Sequence, residues 1–195
     1  MKPLAIVTLA GAIALASCAT NAQHSGRAAP VREALAIPAD PAEGVAKLLA
    51  EADSAQGDPQ RLGLILAALD SLGAQAMPGE PDPVAQWRAK AVMPDTPPYR
   101  GRVLGPAYKA GMINPGATVR LPQLFDGGRS ARVAVATPGQ AALDFTVLDG
   151  EAKPVCPPAK ARTRECMWTP LFSGRFEIVL MNPSSNAAGY YLVID

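Results

Sequence analysis

At "MPDTPPYRGR", residues 93–102, the spacing of apolar residues along the chain changes from a helical period to a strand period. Three prolines in that stretch forbid a continuous helix through it. One fold must therefore accommodate helices before the linker and strands after it. Ahead of it stand three Asp-Pro pairs, Asp40-Pro41, Asp58-Pro59 and Asp82-Pro83. Aspartate caps a helix by accepting from the orphan N–H groups of the first turn, and proline suits the first helical position, which needs no N–H. After Asp40, Glu43 takes the acidic position of a capping box, and Val45, Leu48, Leu49 and Ala52 recur at helical spacing up to Gly57. After Asp58 the stripe is Leu62, Ile65, Leu66, Leu69 and Leu72, closed by Gly73. The spacing predicts an α-hairpin, and the third start, through Trp87 and Val92, predicts a shorter helix.

Beyond the linker the period is two. "ATVRL" (117–121) follows Asn114-Pro115-Gly116, a tight-turn sequence. "SARVAVAT" (130–137) puts Val133 and Val135 on one face, and "LDFTVLD" (143–149) does the same with Leu143, Phe145 and Val147 before the Asp149-Gly150 turn. "RFEIVLM" (175–181) and "YYLVI" (190–194) close the series. With "YKAGMI" (108–113) and two cysteine-bearing segments, about eight short strands separated by turns point to an antiparallel sandwich. The expected class is α+β: a short N-terminal α-hairpin, then an antiparallel β-sandwich.

The chain opens "MKPLAIVTLAGAIALASCAT". Lys2 precedes an uncharged apolar run, Leu4 to Leu15, which is too short for a spanning helix and suits a secretory leader. Leu15-Ala16-Ser17-Cys18 resembles the lipobox of bacterial lipoprotein signal peptides, in which the cysteine is acylated and becomes the first mature residue. The rival is ordinary cleavage at Ala14-Leu15-Ala16, leaving Cys18 a free thiol. The resemblance implies a membrane-anchored envelope protein. Ala19, where aspartate would mark inner-membrane retention in enteric bacteria, implies the periplasmic face of the outer membrane. The expected organisation is a signal peptide over 1–17, a flexible tether over 18–38, a helical segment over 39–95 and the sandwich over 96–195.

If Cys18 is acylated, Cys156 and Cys166 remain as an even pair in an oxidising compartment. Zinc needs about four ligands, and the only histidine, His24, lies in the tether. A redox pair has two intervening residues, whereas here there are nine. The pair is therefore expected to be a disulfide, stapling a β-hairpin.

"GMINPGATVRL", "LDFTVLDGEAKPV" and "SGRFEIVLMNPSSNAAGYYLVID" resemble the bacterial prepeptidase C-terminal module, a jelly-roll-like sandwich appended to secreted enzymes. The resemblance covers roughly residues 105–195 and implies a non-catalytic accessory domain. The calcium-binding members carry an acidic linker; here it offers only Asp95, so no metal site is expected.

Catalytic chemistry is sparse. There is no Gly-x-Ser-x-Gly, no Ser-x-x-Lys among the mature serines, no phosphate loop and no dinucleotide fingerprint. Asp144, Asp149, Glu151 and Glu165 read as turn and strand-surface residues rather than as an acid pair. No catalytic residue and no cofactor is expected. The net charge of +1 gives no reason to expect nucleic acid. The charge is unevenly placed: residues 19–98 carry six basic and ten acidic residues, a net of −4, and residues 99–195 carry eleven and seven, a net of +4. Two features could bind. One is the basic stretch around the cysteines, Lys160, Arg162 and Arg164, with Lys153. The other is the aromatic set Trp168, Tyr190 and Tyr191, with Tyr99 and Tyr108. The partners they suggest are an envelope protein or, alternatively, a glycan such as peptidoglycan or a surface polysaccharide.

Overall fold

The computed structural model describes residues 41–95 and 105–195. The leader, Cys18, the tether and linker residues 96–104 lie outside the described residues. Three helices come first: α1 (Pro41–Ser54), α2 (Pro59–Ser71) and α3 (Pro83–Arg88), with a two-residue strand, β1 (Gln75–Ala76), before α3. Two of the three Asp-Pro signals act as expected, and Asp40 lies outside the described residues. Asp58 accepts from the Arg61 N–H at 3.0 Å, and Asp82 accepts from the Val84 N–H at 3.0 Å. Eight longer strands follow: β2 (Ala107–Ile113), β3 (Thr118–Phe125), β4 (Ala131–Ala136), β5 (Leu143–Leu148), β6 (Pro154–Ala161), β7 (Thr163–Trp168), β8 (Gly174–Met181) and β9 (Ala188–Ile194).

They form two sheets. Sheet A runs β1-β2-β9-β4-β7 and sheet B runs β3-β8-β5-β6. Every pairing is antiparallel except β1 with β2. From β2 onward, successive strands alternate between the sheets, save β5 and β6, which form a hairpin. That connectivity is an eight-stranded jelly roll. Three loops lie at one end: β3–β4, β5–β6 and β7–β8. The β2–β3, β4–β5 and β8–β9 loops and the β6–β7 corner lie at the other.

Sheet A is the middle of three layers. Ile113, Val133, Val135, Phe145, Val147, Ile178, Leu180 and Leu192 fill the space between the sheets. A second core joins the helices to the outer face of sheet A, where Leu48, Leu49, Leu62, Ile65, Leu66 and Trp87 meet Tyr108, Ala134, Ala136, Tyr191 and Val193. β4 and β9 are therefore buried on both faces. Polar ties reinforce the apolar contact. The Tyr108 hydroxyl donates to Asp82 Oδ1 at 2.5 Å, and the Tyr191 hydroxyl is hydrogen-bonded to Asp53. Trp87 sits edge-on to Tyr191, with ring centroids 5.9 Å apart. Gly63 lets the Val92–Met93 segment cross α2 closely, since a Cβ there would meet the Val92 carbonyl oxygen at 1.8 Å.

α1 lies over β4 with β9 and β7 on either side. Its C-terminal half reaches Thr137, Arg162 and Thr163, at the corner end of the sandwich.

Candidate binding surface

β6 belongs to sheet B and β7 to sheet A, and Arg162 alone joins them. The chain turns from one sheet to the other at that residue, on the open side of the sandwich. Cys156 and Cys166 form a disulfide across this gap, with Cα atoms 5.9 Å apart. The expected hairpin staple is corrected here: the two segments are neighbours in sequence, but the jelly roll sends them to opposite sheets. The disulfide ties the sheets together rather than two paired strands.

Other contacts hold the same corner. Thr137 is buried at the end of β4. Its N–H donates to the Arg162 carbonyl at 2.8 Å, and its hydroxyl donates to the Ala141 carbonyl at 2.5 Å. Arg164 pairs opposite Val135, beside the disulfide, and its guanidinium donates to the Pro157 carbonyl on β6 at 2.9 Å. Expected as a surface cation, Arg164 is instead a half-buried strap between the sheets. Lys153 sits at the far end of β6, 2.6 Å from Glu151. Lys160 and Arg162 are the members of the basic set that stay exposed at the corner. Neither has a carboxylate partner among the described residues; Arg162 reaches Gln140 Oε1 at 3.4 Å.

Beside this corner runs a shallow groove of about 260 Å³, walled by Lys47, Ala50, Glu51 and Ser54 of α1 and by Thr137, Gly139, Arg162 and Thr163 of the sandwich. Its volume is below the usual range for small-molecule sites, roughly 300–1,000 Å³. Lys47 is paired with Glu43 at 2.6 Å and Glu51 with Arg61 at 2.5 Å. Arg162 is left as the groove's uncompensated charge among the described residues.

The aromatic set is not a surface. Tyr190 is 3% exposed, in the core between the sheets, and Tyr191 is 7% exposed, under the helices. Adjacent residues of a strand face opposite ways, but both faces of β9 are covered. The unbroken apolar run "AGYYLVI" is the signal for a strand buried on both sides. Trp168 is half-buried against Phe125 and Phe176, with ring centroids 4.8 and 5.3 Å away. The carboxylates do not converge. Asp149 Oδ1 accepts from the Glu151 and Lys153 N–H groups, each at 2.9 Å, and shapes its own turn. Asp144 and Glu165 stand on the outer faces of opposite sheets, with the sandwich between them. Burial drives the hydroxyls of Tyr108, Tyr190 and Tyr191 above the usual phenol range; hydrogen bonds to Asp82 and Asp53 push Tyr108 and Tyr191 the same way.

One surface feature escaped the sequence reading. In the β7–β8 loop, Leu171 is 88% and Phe172 84% exposed, more than any other large apolar side chain among the described residues. The signal for it is an apolar pair, Leu-Phe, set between Pro170 and Ser173-Gly174, where no strand or helix accounts for it.

No protein-family model matches the chain, and no curated protein sequence matches it. Some solved structures are similar to part of the chain. The chain is similar to the pre-peptidase C-terminal domain of a collagenase from Bacillus anthracis, with 10% identity and a TM-score of 0.40, over 45% of this chain and 87% of that one. It is similar to a mitogen derived from Yersinia pseudotuberculosis, with 14% identity and a TM-score of 0.39, over 47% and 86%. PliG, a periplasmic inhibitor of g-type lysozyme from Aeromonas hydrophila, aligns with 17% identity and a TM-score of 0.35, over 46% and 84%.

Proposed function

We propose that this chain is a non-enzymatic module of the bacterial envelope. It is acylated at Cys18 and held at the periplasmic face of the outer membrane, where it binds an envelope protein through the β6–β7 corner. The observation that carries this reading is the corner itself. Arg162 stands exposed in the groove under α1 without a carboxylate partner among the described residues, and Lys160 stands exposed two residues before it on β6, opposite Asp144 of sheet B. The backbone that bears them is fixed by the disulfide, the Thr137 hydrogen bonds and the Arg164 strap. A backbone already fixed loses little conformational entropy on binding, so its contacts convert more fully into affinity. Arg162, the exposed cation of the groove, favours an acidic segment over a basic one. Glycan recognition rests on exposed aromatic faces. With Tyr190 and Tyr191 inside and Trp168 packed on two phenylalanines, nothing on this surface favours that reading.

A photo-crosslinking residue at position 162 of the full chain tests the proposal in cells. The expected result is one discrete protein adduct, reduced about tenfold or more when Lys160→Glu is added, because a like charge against an acidic partner costs at least the lost attraction. A smear that collapses with muramidase, or no adduct at all, would overturn it.

A further inference from the structure

Arg164 carries a donor that the folded chain leaves unused. Its guanidinium reaches from β7 to β6, where Nη2 donates to the Pro157 carbonyl at 2.9 Å. Its Nε–H is buried and meets no acceptor among the described residues. A buried donor without an acceptor costs free energy, and more so on a charged group. The side chain flanks the disulfide on both strands. On β7, Arg164 and Cys166 lie two residues apart on the face turned toward sheet B, about 7 Å between their Cα atoms. On β6, the carbonyl that Arg164 holds belongs to the residue after Cys156. The neighbouring wall is apolar: Val133 pairs opposite Cys166, Val135 opposite Arg164 and Val147 opposite Cys156. The charged side chains of these strands, Arg132 of β4, Asp144 of β5, Lys160 of β6 and Glu165 of β7, stand on outer faces. The two sulfurs differ in access, since Cys156 is partly exposed and Cys166 is 1% exposed.

We propose that the Cys156–Cys166 disulfide is a reversible redox site, opened by a dithiol through attack at Cys156, with Arg164 as the positioning residue that receives the thiolate left on Cys166. A thiolate of the dithiol bonds to Cys156 Sγ, the bond between the two cysteines breaks, and its electron pair leaves on Cys166 Sγ. The second thiolate of the dithiol then attacks the reductant's own sulfur in the mixed disulfide, and that electron pair leaves on Cys156 Sγ. The dithiol departs as a disulfide, having given two electrons to the two cysteine sulfurs. Of its two protons, one goes to Cys156 and one to solvent while Cys166 stays a thiolate. An opposite charge within about 6 Å favours the charged form of a group, and a leaving thiol of lower pKa departs faster. The Nε–H that has no acceptor while the disulfide is closed gains one when the thiolate forms. Opening removes the covalent tie from the corner that bears Arg162, so the redox state sets how firmly that residue is presented. The thiol chemistry is independent of the partner proposed for the corner and is measured without one.

The test uses the full chain and dithiothreitol, with iodoacetamide alkylation resolved by mass spectrometry so that Cys156 and Cys166 are read apart from Cys18. Opening at about pH 7 should be about threefold or more slower in Arg164→Gln than in the native chain. The sign of the change separates this role from a structural one: were Arg164 only a strap between the sheets, its loss would loosen the corner and speed opening. In the reduced chain, alkylation of Cys166 should set in about one pH unit or more below where it does in Arg164→Gln. Arg164→Lys, which keeps the charge, should keep most of that difference. With glutathione in place of the dithiol, the mixed disulfide should be found on Cys156. Faster or unchanged opening in Arg164→Gln, a Cys166 profile that the substitution does not move, or an adduct on Cys166 would each overturn the proposal.

Discussion

Tyr108, Tyr190 and Tyr191 each titrate above the ordinary phenol range, first because they are buried. In the unfolded chain their hydroxyls ionise near pH 10, while in the folded protein they stay protonated at that pH. Stability from these groups is thus fully present below pH 10 and is lost as pH rises through and above it, because only the unfolded state releases its protons there. The melting temperature should hold to about pH 9 and fall steeply by about pH 11; Tyr190→Phe should blunt the fall while leaving the neutral-pH value within a few degrees. A flat alkaline profile would mean that the hydroxyls are not buried as described. At this scale the sequence was partly readable. The Asp caps and the cysteine pair stand out because their chemistry is local. Tyr191 and Arg164 could not be placed, since their partners, Asp53 and the Pro157 carbonyl, come from other elements. Asn182 is similar: it is fully buried, and it donates to the Ile113 and Asn186 carbonyls at 2.9 and 2.8 Å. Its sequence setting, "MNPSSN", reads only as a turn.

Among elements, the β6–β7 crossover makes the disulfide a different object from a hairpin staple. β6 is an edge strand whose Pro157 and Pro158 offer no N–H, so few backbone hydrogen bonds hold it from outside. Reducing the disulfide, or replacing both cysteines with alanine, should cost about 3 kcal/mol by the loop-entropy estimate for a separation of 10. A denaturant titration with and without reductant measures this, and hydrogen exchange should show the loss of protection concentrated in β6 and β7 rather than spread through β2 and β9. The eight strands were legible because sheet faces impose period two, and the helices because caps and period 3.6 agree. The pairing was not legible: period two says which side of a strand is apolar but not which sheet receives it. Hence a crossover looked like a hairpin.

For the molecule as a whole, apolar contact rather than the opposite charge of the two halves joins the parts. The helical layer is joined to sheet A mainly by a shared apolar core, with Lys109–Glu80 at 2.5 Å as an ion pair across the junction. Removing residues 41–95 should therefore bare Tyr108, Tyr191 and Val193 and give a chain that binds hydrophobic dyes and elutes as aggregate on size exclusion. A soluble monomeric sandwich would show the layer to be dispensable. The apolar pair Leu171–Phe172 was also hidden from sequence, because its exposure depends on how the β7–β8 loop packs on Gly127 and Gly128, more than 40 residues earlier.

The place of β9 has a consequence for timing. This strand, Ala188–Ile194, sits between β2 and β4 at the centre of sheet A, so the β1-β2 and β4-β7 pairs are not joined into one sheet until it has been delivered. A chain emerging from its N-terminus can form its helices early, since their contacts are local, but the sheet that the helices cover cannot close around a missing middle. Until then sheet A, one of the two sheets that the Cys156–Cys166 disulfide bridges, is incomplete. Sheet A thus cannot close before every strand from β2 to β8 has been made.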